Sequence, residues 1–196
     1  MDPFPYFENP THPLSSWSPE TAACYFCGAR GPGFDGPFYG PHDVERVCEA
    51  CLRSGRLAEV RLTTCQGDAA ALRGQLERMR PAISDRALVE TVSARTADLQ
   101  ERTPGLRSWQ DLLWPAHCGD YCCFIEELGK PELLELAAGE DRRAWFLSRA
   151  PRATVAVWSA IRADSARLHP SISYDLTVYR FTCRLCHATV LRWDAS

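Results

Sequence analysis

Two Cys-x-x-Cys pairs, Cys24-Tyr-Phe-Cys27 and Cys48-Glu-Ala-Cys51, stand with twenty residues between them. That spacing lets four thiolates meet at the corners of one tetrahedron, the ligand set of a structural zinc ion. The stretch between the pairs, Gly31-Pro-Gly-Phe-Asp-Gly36-Pro-Phe-Tyr-Gly40-Pro41, is dense in Gly and Pro and marks tight turns around short strands. The expected unit is a treble-clef-like zinc ribbon. A turn carries the first pair, a short hairpin follows, and a helix from near Pro41 carries the second pair. Two disulfides would use the same cysteines only in an oxidising compartment. A thioredoxin-like motif needs a single pair in a βαβ context. A cytidine deaminase needs His-x-Glu upstream of its cysteines, and His42-Asp-Val-Glu45 has the wrong spacing.

A second ligand set is built from Cys118, Cys122 and the pair Cys183-Arg-Leu-Cys186. On a helix, Cys118 and Cys122 would share a face. The pair at 183 and 186 falls at the turn of a terminal hairpin. A second zinc held by these four would staple the middle of the chain to its carboxy-terminal end, giving two structural Zn2+ ions per chain. His117 and His187 stand beside this set, and either can replace a cysteine. Buried free thiols are the other reading of Cys118 and Cys122. Cys123 reads as core and Cys65 as a free thiol. Catalytic zinc keeps an open position, whereas both sets can close with four ligands. No P-loop, nucleophile elbow or His-Glu-x-x-His pattern is present, and no catalytic residue is assigned.

The elements that must position these ligands read as an α+β fold. It comprises an amino-terminal zinc-ribbon module, a helical middle and a carboxy-terminal zinc-knuckle β-hairpin. Prolines among Phe4, Tyr6, Phe7 and Trp17 point to an extended arm packed on the body. Residues Leu57 to Leu62 suit a short strand. Asp68 to Met79 places Leu72, Leu76 and Met79 on one helical face. Ser84 caps a second helix with Leu88, Val89 and Val92 inward. Apolar residues around Leu133, Trp145 and Val155 suggest further core helices. Ser171 to Thr182 alternates as a strand, with Tyr174, Leu176 and Val178 on one face, and Ala188 to Trp193 alternates again. This gives an arm and ribbon over residues 1–62 and a helical body with its hairpin over 63–196, packed together.

The chain has 196 residues, 45% of them hydrophobic, so it can bury a sizeable core. Ten cysteines fall below the density of a disulfide scaffold. No secretory signal or membrane-length apolar run is seen, and a cytoplasmic protein with reduced cysteines is expected. The net charge is −3, and no basic face for phosphates stands out, which disfavours a nucleic-acid-binding or regulatory ribbon. Between Asp120 and Asp141 seven acidic residues face a single Lys130. Glu126, Glu127, Glu132, Glu135, Glu140 and Asp141 are the candidate surface for a basic protein partner, steered in by charge.

Longer motifs carry a family resemblance. Gly36-Pro-Phe-Tyr39, Arg102-Thr-Pro-Gly105, Trp109-Gln110, Trp114-x-x-His117-Cys118-Gly-Asp120-Tyr-Cys122 and Phe181-x-Cys183-x-x-Cys186 with Trp193-Asp194 resemble, in the same order, the CbrC family. These are bacterial proteins named for tolerance to a nuclease colicin. The resemblance implies that the cysteines at 24, 27, 48, 51, 118, 122, 183 and 186 belong to a shared pattern. Cys65 and Cys123 look particular to this chain, and His187 stands where the family tends to have Gly. What the resemblance implies for function is an immunity-type protein that binds and neutralises a bacterial toxin, plausibly a nuclease.

Overall fold

The computed structural model describes residues 1–108, 110, 112–167 and 175–195. Trp109, His169 and the expected strand start from Ser171 through Tyr174 lie outside these residues. The fold is α+β with small sheets. Strands β1 (Trp17–Ala23) and β2 (Arg30–Phe34) form an antiparallel hairpin, with a bulge between Ser18 and Ala22. Helix α1 (Glu49–Arg53) follows, then a 3-10 turn over Arg56–Val60. Two-residue β3 (Gln66–Gly67) pairs in parallel with β4 (Leu113–Trp114), across helices α2 (Ala69–Met79) and α3 (Asp85–Arg102). A minimal hairpin joins β5 (Ala116–His117) to β6 (Asp120–Tyr121). Strand β7 (Cys123–Leu128) opens an antiparallel sheet of order β7-β8-β9, with β8 at Leu176–Thr182 and β9 at Thr189–Ala195. Helices α4 (Lys130–Ala137), α5 (Arg142–Arg149) and α6 (Val155–Ala160) lie between β7 and β8.

The helix starts follow from local chemistry. The Asp68 carboxylate accepts from the Ala71 N–H, and the Ser84 hydroxyl accepts from the Ala87 N–H. Each satisfies a donor that the first helical turn leaves without a partner. Leu72, Leu76 and Leu88 are buried as their spacing requires, but Met79 and Val89 are half exposed. Helix α1 starts at Glu49 rather than near Pro41. The first hairpin straddles Cys24–Cys27 instead of following it. No strand forms over Leu57 to Leu62, because Gly55 (φ 77°) and Arg61 (φ 53°) are left-handed at both ends and curl the segment into the 3-10 turn.

One core is aromatic and draws from both sides of residue 62. The arm residues Phe4, Tyr6 and Phe7 are buried within it. Phe4 meets Phe34 edge to face at 5.7 Å, and Phe7 lies 4.8 Å from Phe124. The arm also runs beside β7, where the Phe124 N–H donates to the Tyr6 carbonyl and the Glu8 N–H donates to the Phe124 carbonyl. A second, smaller core joins Leu133, Trp145 and Phe146 to Val178 and Leu191.

Around this second core Glu127 and Glu132 turn inward, which removes these two from the expected partner surface. Glu127 is 3% exposed and ion-paired to buried Arg162 at 3.2 Å. Glu132 is 1% exposed; it accepts from the Gly129 and Ala166 N–H groups and from the Ser165 hydroxyl. Glu126 pairs with Arg167 and Arg180, and Glu135 pairs with Arg167. Asp141 caps α5 through the Arg143 and Ala144 N–H groups. Glu140 remains exposed. The cations that pair with Glu126, Glu127 and Glu135 are Arg162, Arg167 and Arg180, far along the chain.

Candidate metal centres

Two groups of side chains converge with the geometry of a metal site. In the first, Cys24, Cys27, Cys48 and Cys51 offer sulfur atoms that all lie within 4.8 Å of one another. Cys24 and Cys27 sit in the turn between β1 and β2. The Cys24 N–H donates to the Ala29 carbonyl at 2.9 Å, and the Gly28 N–H donates back to the Cys24 carbonyl at 2.9 Å. Gly28 takes φ 69° to close this turn, a conformation that glycine adopts without steric cost. Cys48 is the N-cap of α1, and Cys51 lies in its first turn, so the positive end of the helix faces the thiolates. The Cys48 N–H donates to Cys24 Sγ at 3.4 Å. Arg56 closes the outside, donating to the Phe26 carbonyl and stacking over the Phe26 ring.

The second group is His117, Cys118, Cys183 and Cys186. Cys183 and Cys186 occupy the turn between β8 and β9 in the same pattern as the first. The Cys183 N–H donates to the Ala188 carbonyl at 2.9 Å, and the His187 N–H donates to the Cys183 carbonyl at 3.0 Å. His187 takes φ 58° where the first turn has Gly28. The other two ligands come from the β5–β6 turn, where Cys118 (φ 52°) and Gly119 (φ 74°) are both left-handed, the signature of a two-residue hairpin. Gln75 of α2 clamps this turn at both ends. Its amide donates to the Ala116 carbonyl at 2.7 Å and accepts from the Gly119 N–H at 3.0 Å.

This hairpin removes Cys122 from the expected set. A helix would have placed Cys118 and Cys122 on one face, but Asp120 and Tyr121 fold back to pair with His117 and Ala116. Cys122 is fully buried one residue beyond, its carbonyl accepting from the Trp114 indole at 2.7 Å. His117 takes its place, with Nδ1 3.4 Å from Cys186 Sγ. His187 lies outside both groups. A tetrahedron with zinc–sulfur bonds of about 2.3 Å has sulfur–sulfur edges of about 3.8 Å. The Cys27–Cys48 and Cys118–Cys186 sulfurs are 3.7 and 3.6 Å apart, so both groups fit such an ion.

Without metal, the first set is electrostatically divided. Burial opposes ionisation of Cys24, but N–H donors from Cys48, Cys27 and Phe26 outweigh it and bring its thiol down to about 6. Burial and the neighbouring sulfurs push Cys51 up to about 12. In the second set the Cys186 thiol is lowered, chiefly by the Ala188 N–H, while sharing a proton with Cys186 raises Cys118 to about 11. Each set thus has one thiol poised to meet a cation and at least one whose proton the cation must displace.

Comparison with known proteins gives the chain a family. The model of the uncharacterised protein family UPF0167 matches residues 1–195. UPF0167 protein PA1536 of Pseudomonas aeruginosa is 28% identical over 189 residues, covering 94% of this chain and 93% of that protein. No solved structure matches the chain. The chain-long match to UPF0167 replaces the CbrC reading of the motifs, and colicin tolerance, which came with that name, goes with it. Among the described residues no helix is long and apolar enough to cross a membrane.

Proposed function

We propose that this chain, which belongs to the UPF0167 family, is a non-catalytic binding protein held in shape by two structural zinc ions. The observation that carries this reading is the convergence of four donor atoms in each of two separate clusters. Four protein ligands fill a tetrahedral zinc and leave no position for water or substrate. Thiolate-rich donors suit zinc and disfavour hard cations such as magnesium and calcium. A Cys-x-x-Cys turn between two strands, followed by a pair at a helix N-terminus, supports the treble-clef description of the first site. The hairpin turn at Cys183–Cys186 supports a zinc knuckle at the second.

Charge favours a protein over a nucleic acid as partner. Metal loading would leave the four-thiolate site at about −2 and the site of one histidine and three cysteines at about −1, so a chain of formal charge −3 becomes about −6. Such a chain repels phosphates and attracts basic surfaces. A basic toxin such as a nuclease, neutralised in the cytoplasm, fits that acidity.

Elemental analysis of protein purified without added metal should give about two zinc equivalents per chain by the four-ligand rule. His117→Ala should lose one equivalent, and Cys122→Ser should keep both. A Cys122→Ser variant holding a single zinc would return Cys122 to the ligand set. The partner is tested separately, by co-expression with basic nuclease toxins, any encoded beside its gene first. Unchanged killing and no co-purification would remove the toxin and leave the zinc reading standing.

A further inference from the structure

A cleft of about 310 Å³ lies away from both metal clusters, where the parallel β3–β4 pair meets the end of α3. Its volume falls at the small end of ligand pockets. Leu106 and Trp114 supply apolar wall, and Tyr39, 46% exposed, offers a ring at the mouth. Among the described residues, every side chain that lines the cleft is uncharged. Burial raises the Cys65 thiol to about 12, so this group also stays neutral.

The polar side chains of the lining divide into two kinds. Thr64 is committed to the Gln100 and Thr103 carbonyls, and the Ser108 hydroxyl donates to the Gln110 carbonyl. Gln66 and Gln100 also line the cleft, and their side-chain amides make no hydrogen bond to the described residues. Each amide presents a donor and an acceptor together. We propose that this cleft binds a small, uncharged ligand with a planar ring and an amide or imide edge. The two glutamines read that edge, and the aromatic and leucine walls cover the ring. Among the described residues, no lining side chain offers an opposite charge to replace the hydration that a charged ligand would lose here. This inference stands independently of the zinc reading.

Matched pairs of probes test it on the full, metal-loaded chain by ligand-observed NMR. Nicotinamide and uracil should bind saturably, and their anionic counterparts nicotinate and orotate should bind at least about tenfold more weakly, reflecting desolvation of the carboxylate. Gln100→Leu should weaken the neutral probes about fivefold, the effect of one lost hydrogen bond. Gln66 is exposed, so Gln66→Leu keeps the test available if the α3 variant misfolds. The proposal is overturned if neither neutral probe saturates, if the anions bind as tightly, or if folded glutamine variants bind the neutral probes like the parent.

Discussion

The Cys24–Cys27 and Cys183–Cys186 turns are nearly superimposable in their hydrogen bonds, yet the hairpins that carry them are built differently. Strands β8 and β9 belong to a three-stranded sheet, and from Leu176 to Phe181 only Arg180 escapes full burial. Strands β1 and β2 form a two-stranded sheet, bridged at Phe34 to Val47, with Phe34 as their one large fully buried side chain. An isolated two-stranded hairpin is marginally stable in water. The lesson is that one local motif can serve as foundation in one place and as fastening in another. On the proposed zinc reading, the first turn would depend the more on its metal. The second sits on a three-stranded sheet, and a metal there would mainly tie it to the β5–β6 turn.

The largest test of this contrast is ligand removal. Cys24→Ser should unfold the region from β1 through α1, a loss of several kcal/mol on the scale of structural zinc. Hydrogen exchange should show residues 17–55 open while β7–β9 stay protected. Cys186→Ser should leave the β8–β9 amides protected and loosen residues 116–121 alone. Equal loss of protection in the two hairpins would abolish the distinction.

Acid should act on the carboxy-terminal half by a different route. His12 lies edge-on to Phe124 at 5.3 Å and accepts from the Leu14 N–H. Burial holds its pKa near 4, against a weaker opposing pull from Glu126. The unfolded chain therefore binds the extra proton between its ordinary pKa of 6.5 and about 4. Stability from neutral His12 is complete above 6.5 and declines as pH falls through that window, by at most about 3 kcal/mol. His12→Asn keeps a hydrogen-bond acceptor and removes the titration. Melting temperatures of the two proteins should thus diverge with acid in favour of the variant; parallel curves would remove His12 from the account.

The smallest effects separate the turns themselves. Gly28→Ala has open space for its methyl group, so its cost is the left-handed backbone, about 0.5–1 kcal/mol. His187→Gly relieves the same conformation at the other turn and should gain about 0.5 kcal/mol, part of the relief being offset by the freer unfolded chain. Denaturant midpoints should move in opposite directions. A destabilised His187→Gly protein would mean that the imidazole makes contacts worth more than its strain.

Features governed by local rules were legible in the sequence. The capped starts of α2 and α3 and both Cys-x-x-Cys turns depend on residues a few positions apart. What was missed depends on distance or on the choice between two periodicities. Cys118 and Cys122 share a face only in a helix, and the hairpin through Cys118-Gly119 hands the ligand position to His117. That turn chemistry was the available signal. Glu126, Glu127 and Glu135 looked like a free acidic face because their arginines lie 32 to 54 residues away in sequence. The cleft beside Trp114 gathers Tyr39, Cys65, Gln100 and Leu106 from separate segments, and no spacing rule brings them together.

The arm at Phe4, Tyr6 and Phe7 has a consequence for the order of events during synthesis. Phe124, against which Phe7 packs, is made about 120 residues after the arm, on the order of ten seconds at ribosomal rates. Until then the arm has no complete berth and travels as exposed apolar chain. Its docking joins the two ends of a long loop and adds to the slow, non-local part of folding. Nascent chains halted before β7 should therefore engage chaperones through Phe4, Tyr6 and Phe7, and release should follow once β7 has emerged.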